Sequence, residues 1–496
     1  MDNIKMASFS KVDDNPMQIP PELMQFVKRD TYSLLVKGNS GTGKTTLSLT
    51  ILRALEIRSN FFYISTRLSP RQLFVNYPWL EKFVVRENIE VNDPSNQRSS
   101  LSSFEDARLD EPESLFERIT NQLMDVKAPI IIIDSWDAIA SFMDTEARLN
   151  NERVLQTWRE RAGAKLIFTS EDSEDNTLDF LVDGIVELKQ KVYRNADIRQ
   201  IFLAKLRGTK INRSSYIFTL NNGVFKSYNH YDPSEFLITN KRINPLSKRD
   251  RSEHKTLSPL HLPSNSSNVK KFTGIICESL SIEFSHEVQE NKIVLIEVDP
   301  VITPNVCTSF LAKIIAQFLS NDSDIIAQPV PGIEPRLFLG FLQPYLSRKL
   351  GKNLRLLHYS KNDTEISEFI DEYDTQDTSS ERFKRLKEVV SKVQSQRKNK
   401  ILMSMLMLDD FDNRSDGDSL FSKIIPFLRF NVDLSILVSI KPVRYKELVR
   451  NVDMLLRLNL LHNTLLLESI IPDGHSHALS VHRSLGVPAV TLDCLV

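Results

Sequence analysis

The sequence predicts an α/β fold: two consecutive domains, each a mostly parallel sheet flanked by helices. Three observations carry this expectation. The stretch Gly38-Asn39-Ser40-Gly41-Thr42-Gly43-Lys44-Thr45 fits the phosphate-loop pattern in full and lies between an apolar run and a helix-spaced one. A second apolar run, Ile130-Ile-Ile-Ile, ends in Asp134. The later half of the chain repeats the strand and helix pattern of the earlier half, with matched segments roughly 260–275 residues apart.

The phosphate loop comes first because its context is complete. Tyr32-Ser-Leu-Leu-Val-Lys37 reads as a buried strand stopped by glycine, and Leu47, Ile51, Leu52 and Leu55 then recur at helical spacing. Glycines at 38, 41 and 43 let the backbone curl so that successive N–H groups point at phosphate oxygens. The helix N-terminus, where Thr46 follows Thr45, adds its positive dipole end. Lys44 is placed to reach the β- and γ-phosphates and the Thr45 hydroxyl to ligate Mg²⁺, so ATP and Mg²⁺ are the expected ligands. Asp134, at the end of a fully apolar strand, is the expected carboxylate beside the Mg²⁺ shell, with Ser135 next to it.

Length and composition set the frame. A chain of 496 residues is too long for one ordinary core. The formal charge of −1 gives no global attraction to nucleic acid or membrane. Cys277, Cys307 and Cys494 lie too far apart for a metal or redox motif and are expected to be buried thiols in a reducing cytoplasm. No run approaches the length of a membrane span, and the first residues lack a signal-peptide core.

In chain order, residues 1–15 are polar and expected to be loose. Ile19-Pro-Pro-Glu-Leu23 starts a helix, with proline tolerated in its first turn. Phe61-Phe-Tyr-Ile-Ser-Thr66 reads as a strand. The Ser-, Asp-, Glu- and Pro-rich stretch from Asn92 to Ser114 reads as an exposed loop, and Leu115 to Leu123 as a helix. Leu166-Ile-Phe-Thr169 is a strand running into the acidic Ser170-Glu-Asp-Ser-Glu-Asp175, either a polar rim facing the nucleotide or a solvated loop. Val182–Leu188, Arg199–Gly208 and Ser215–Leu220 complete the strands of the first domain, which is expected over 16–230.

Together the phosphate loop, Ile-Asp134-Ser135, Val182-Asp-Gly-Ile-Val and Lys205-Leu-Arg207-Gly208 resemble the KaiC-like branch of RecA-type ATPases. The Ile19-Pro-Pro-Glu-Leu23 start and Tyr63-Ile-Ser-Thr-Arg67 more specifically resemble the gas vesicle protein D family of archaeal regulators. The resemblance covers residues 15–225. It implies a RecA-like domain, ATP hydrolysis, a protein partner and self-association into a ring or dimer. It also implies that Lys205 and Arg207, on one strand face, reach a neighbour's γ-phosphate and stabilise the transferring group. The alternative for that pair is a basic strand edge that blocks aggregation. One departure stands out: where such enzymes carry a catalytic glutamate after the second strand, this chain has Thr66-Arg67-Leu68. A missing base costs roughly 10²–10⁴ in rate, with Glu171, Asp172 or Asp137 as possible substitutes. The expected function is a slow regulatory ATPase whose nucleotide state controls a protein partner. The alternatives are a non-hydrolysing nucleotide switch and a recombinase-like DNA-dependent ATPase.

Residues 231–271 change character, with Pro, Ser and Asn interleaved with Lys241, Arg242, Lys248, Arg249, Arg251 and Lys255. This reads as a linker, and without aromatic platforms for bases it argues against nucleic acid. Beyond it, over 272–496, Ile293–Val298 matches the first strand and Phe310–Phe318 the helix after the loop. Ile401–Leu408 with Asp409 matches the strand ending in aspartate, Leu434–Ser439 matches Leu166–Ser170, and Val452–Leu458 matches Val182–Leu188. The phosphate loop itself is replaced by Asp299-Pro-Val-Ile-Thr-Pro304-Asn305-Val306, in which prolines remove donors and Asp299 repels phosphate. Ser469-Ile-Ile471 stands where Lys205 and Arg207 would be. The second domain is expected to dock or assemble, with a helix over Ser379–Lys400 on its surface.

Overall fold

In the computed structural model of the chain, the described residues are 18–57, 60–80, 102–108, 112–123, 126–171, 177–193, 196–238, 291–343, 353–358, 370–372, 378–397, 400–411, 417–440, 446–472, 476–484 and 486–495. Residues 1–15, Asp172 to Asp175, Cys277 and the basic cluster from Lys241 to Lys255 lie outside them. The chain divides into two compact units, Met1–Asn229 with Leu495–Val496, and His230–Cys494.

The first unit is built on strands β1 (Tyr32–Gly38), β2 (Phe61–Ser65), β3 (Ser102–Asp106), β4 (Ile130–Asp134), β5 (Lys165–Ser170), β6 (Gly184–Tyr193), β7 (Ala196–Leu206), β8 (Ser215–Thr219) and β9 (Lys226–Ser227). They lie in the order β3-β2-β4-β5-β1-β6-β7-β8-β9. The part from β3 to β6 is parallel, and β6 to β9 is antiparallel. Central strands of a parallel sheet are covered on both faces, which is why they read as unbroken apolar runs. On one face Leu34, Val36, Tyr63 and Ile132 pack with Leu47 and Ile51 of the helix Lys44–Ala54. On the other, Leu35, Ile64 and Ile133 pack with Phe116, Leu155 and Trp158 of two covering helices.

The second unit has β10 (Lys292–Val298), β11 (Asp324–Ala327), β12 (Leu354–His358), β13 (Ile370–Glu372), β14 (Leu402–Met407), β15 (Leu434–Ser439), β16 (Met454–Leu461), β17 (Thr464–Ile471), β18 (Ser476–Ser484) and β19 (Val487–Cys494). Their order is β13-β12-β11-β14-β15-β10-β16-β17-β18-β19. Read outward from β1 and from β10 the two orders match strand for strand, the second sheet adding only the edge strand β13, so the two units share one RecA-like topology. Registers agree too: β1 pairs Tyr32 with Lys165 and Leu34 with Gly184, while β10 pairs Lys292 with Leu434 and Val294 with Met454.

Side-chain anchors recur with the strands. In the first unit Asp183 accepts from Ser33 N at 3.1 Å and from Arg159 at 3.0 Å. In the second, Asp453 accepts from Ile293 N at 2.8 Å and pairs with Arg429 at 3.1 Å. Ser170 Oγ donates to Asp137 at 2.8 Å and the Glu171 amide donates to it at 2.5 Å. Ser439 Oγ and Ile440 N repeat this on Asp409 at 2.9 and 2.8 Å.

Four expectations are corrected. Asp409 is the counterpart of Asp137, not of Asp134. If Ser439 matches Ser170, then Val438 matches Thr169, and the residue in register with Val438 is the buried Met407. The second unit therefore places a thioether where the first has its carboxylate. Secondly, part of the Asn92–Ser114 stretch is strand β3, paired with β2, because Phe104 packs on the core among polar neighbours. Thirdly, the helix Ser379–Gln396 is not merely superficial: Phe383, Leu386, Val389 and Val390 are buried. Fourthly, Cys307 is buried but Cys494 only half-buried. Residues 231–238, at the start of the stretch read as a linker, pack into the second unit, where Phe236 is buried and Tyr231 N donates to Asn463 O at 2.5 Å.

Candidate functional site: a phosphate loop facing a hydroxyl-ringed aspartate

β1 delivers the loop at its carboxyl end, and Lys44 opens the following helix with Gly43 as its cap. Two glycines are required by geometry. At Gly38 a Cβ would stand 2.6 Å from the Leu188 carbonyl oxygen, closer than real Cβ contacts allow. Gly43 has φ +103°, and a Cβ there would meet Leu220 at 2.8 Å. The Asn39 carbonyl accepts from Thr42 Oγ1 at 2.8 Å and closes the loop. Thr46 Oγ1 lies 3.1 Å from Tyr77 OH, which fixes the first helical turn. Ser40, Gly41, Gly43, Lys44, Thr45 and Thr46 line a cavity of about 250 Å³.

Lys44 is curled onto its own loop, donating to Gly38 O at 2.6 Å and Asn39 O at 3.0 Å. Burial lowers its pKa from the ordinary lysine value, while Glu171 and Asp134 act to raise it. Across the cavity, Asp134 ends β4 between β2 and β5. Its Oδ2 accepts from Thr45 Oγ1 at 2.6 Å and from Tyr63 OH at 2.5 Å, and its Oδ1 from Thr169 Oγ1 at 2.5 Å. Burial, and then the Asp134 charge, raise the Tyr63 phenol well above its usual value, so it stays a donor. The buried Ser135 Oγ has no hydrogen-bond partner among the described residues and belongs to a cavity-lining residue.

Oxygen donors suit Mg²⁺, and the Thr45 hydroxyl and Asp134 carboxylate already sit within hydrogen-bond reach of each other beside the cavity. The residues thus fit Mg²⁺, with Thr45 and Asp134 as the groups that would hold it. When bound, the ion supplies charge neutralisation at the β- and γ-phosphates.

The phosphate-loop residues and Asp134 converge as the sequence expects. Lys205 and Arg207 do not join them. Lys205 pairs with Ile185, which pairs with Leu35, upstream of Gly38 on β1. Its Nζ donates to the Asp179 carbonyl at 2.9 Å, and Arg207 lies 3.9 Å from Asp183. Sequence reasoning missed Tyr63, Thr169 and Tyr77, whose roles depend on strand register and not on any motif. It also left Arg199 unassigned, although Arg199 Nη1 donates to Gly41 O at 2.9 Å. Among the described residues no cluster of three or more His, Cys, Asp or Glu forms a further metal site. No described helix is long and apolar enough to cross a membrane.

Comparison with known proteins agrees with this geometry. Residues 27–230 match the family model described as "ATPase: KaiC". The chain is similar to protein GvpD2 of Halobacterium salinarum, with 28% identity over 42% of this chain and 44% of that one. Protein GvpD1 of the same organism is 26% identical over 67% of this chain and 60% of its own length. The circadian clock oscillator protein KaiC of Thermostichus vulcanus is 26% identical over 38% of this chain and 39% of its own. The chain thus spans between about two fifths and three fifths of these relatives. Residues 27–230 thus match a KaiC-type ATPase model on a RecA-like sheet, and the chain is similar to the KaiC and GvpD proteins.

Proposed function

We propose that this chain is a slow, Mg²⁺-dependent ATPase acting in the cytoplasm as a regulator, its nucleotide state controlling a protein partner. The observation that carries this reading is the pairing of Thr45 with Asp134 at the mouth of the phosphate loop, with Lys44 beside them. Arg67, half exposed beside the cavity where related enzymes carry a glutamate, supports slow turnover. Mg-ATP titrated onto the purified chain, with Lys44→Ala as control, tests it: binding and turnover are both lost in the variant. Turnover that survives the substitution contradicts it.

In this reading the second unit is a docking or assembly domain. It has Met407 in place of the carboxylate, and Pro304 opens the helix that would follow a phosphate loop. Lys205 and Arg207 act on the site of a second copy of the chain. Support comes from Lys205 near the end of β7, remote in register from its own loop, and from the exposed side chain of Arg207 just past that strand.

A further inference from the structure

We propose that Glu171 is the catalytic carboxylate that activates water in this chain, and that Arg67 holds it in reserve until a polyphosphate enters the cavity. The inference rests on the first unit's being an ATPase and names the group its sequence leaves unfilled.

Among the described residues, which do not include Asp172, two carboxylates line the cavity, Asp134 and Glu171. Asp134 is committed, since hydroxyls of Thr45, Tyr63 and Thr169 already occupy its oxygens. Asp137 is committed as well, one oxygen to Ser170 Oγ and the other to the Glu171 amide, and it does not line the cavity. Asp137 therefore serves to fix the backbone from which Glu171 projects. Glu171 leaves the end of β5, on one side of β4, and Arg67 leaves the end of β2, on the other. They meet over the Asp134 strand, Arg67 Nη1 at 2.5 Å from Glu171 Oε1. Lys44 Nζ stands 3.8 Å from the same oxygen. The charge order is inverted relative to the expected arrangement: the β2 end is cationic and the β5 end carries the acid.

Both of these cations prefer a phosphate group, with its higher charge and several acceptor oxygens, to one carboxylate. A γ-phosphate in the cavity competes for Lys44 and Arg67, and Glu171 is freed beside it. Water then adds to the γ-phosphorus and gives a proton to the Glu171 carboxylate. The bond from γ-phosphorus to the β,γ-bridging oxygen breaks, and its electron pair leaves with ADP. Inorganic phosphate is the second product, and Glu171 returns its proton to solvent. Arg67 is a positioning residue for the resting carboxylate and a charge partner for the phosphate.

Among the described residues, the charged groups around Glu171 are Arg67, Lys44, Asp134 and Asp137. The Arg67 guanidinium, more than Lys44, keeps the Glu171 carboxyl below its ordinary range. The test uses full-length protein with Mg-ATP and measures affinity by calorimetry, hydrolysis by single turnover, and the pH profile of hydrolysis. Glu171→Gln is expected to bind ATP within about threefold of wild type while turnover falls by roughly 10²–10⁴. Arg67→Gln is expected to move the acid limb of the kcat/KM profile to higher pH, since that profile reports the free enzyme, in which the two side chains are paired. A purely structural role would not move it. Turnover of Glu171→Gln within a few-fold of wild type, or an unmoved limb in Arg67→Gln, overturns the inference and leaves the ATPase standing. Wild type that binds ATP without turning it over overturns the inference and the hydrolytic reading together. Wild type that binds no ATP overturns the nucleotide site itself.

Discussion

Asp453 pairs with Arg429 at 3.1 Å in the second unit, in the place where Asp183 pairs with Arg159 at 3.0 Å in the first. Each aspartate also accepts the amide of a residue at the start of its unit's central strand, Ile293 or Ser33. The arrangement persists where the phosphate-loop sequence is absent, so it belongs to the fold. Asp453→Ala strands the Ile293 amide, while Arg429 keeps its bonds to the Asn291 and Asn451 carbonyls, and an unsatisfied buried donor costs about 1–3 kcal/mol. Urea denaturation of the full chain should show that loss while ATP affinity stays unchanged.

Gly43 has no room for a methyl group. Its φ of +103° and the 2.8 Å approach of Leu220 mean that Gly43→Ala must distort the turn into Lys44. Calorimetry should show ATP affinity falling at least about tenfold, with circular dichroism unchanged, since strain at such a position is about 1–3 kcal/mol.

Thr169 supplies the hydroxyl on Asp134 Oδ1. Thr169→Val keeps the shape and leaves that buried oxygen one bond short, a deficit of about 1–3 kcal/mol. The expected result is a rise in the Mg²⁺ concentration needed for half-maximal ATP turnover, with the fold retained.

Lys205 is remote in register from its own loop. If it serves a second copy, Lys205→Ala binds ATP normally and turns it over poorly. Mixing it with Lys44→Ala should restore activity, because one variant supplies an intact loop and the other an intact lysine. No recovery on mixing would assign Lys205 to its own subunit's structure.

Lys313 gives a pH dependence with a defined sign. Burial pushes its pKa down to about 8, while its ammonium donates to Val490 O at 2.8 Å. In the unfolded chain a lysine titrates near about 10.4. Between those values the unfolded state binds more protons, so this group's contribution to stability increases as pH rises from about 8 to 10. Subtracting the stability profile of Lys313→Met from that of wild type isolates the slope, expected to total roughly 1–3 kcal/mol across the window.

Much of this was legible in the residues. The loop from Gly38 to Thr46 declares itself because each position is dictated by phosphate geometry, and Asp134 because an apolar strand ends in a charge. The duplication was legible from recurring apolar runs, down to the lost loop at Asp299–Val306. What escaped depends on register. Phe104 is one apolar residue in a polar strand, so β3 carried no alternation to read. Asp409 looked like the end of an apolar strand, but Ser439 and Ile440 fix it as the partner of a neighbouring strand end. Arg67 and Glu171 lie far apart in sequence and meet only because β4 lies between their strands.

The central claim is that the first unit holds a triphosphate and the second does not. Titration calorimetry of Mg-ATP onto the full chain tests it most directly. One site per chain, abolished by Lys44→Ala, is the predicted result. Two sites per chain, or one that survives Lys44→Ala, would contradict the account.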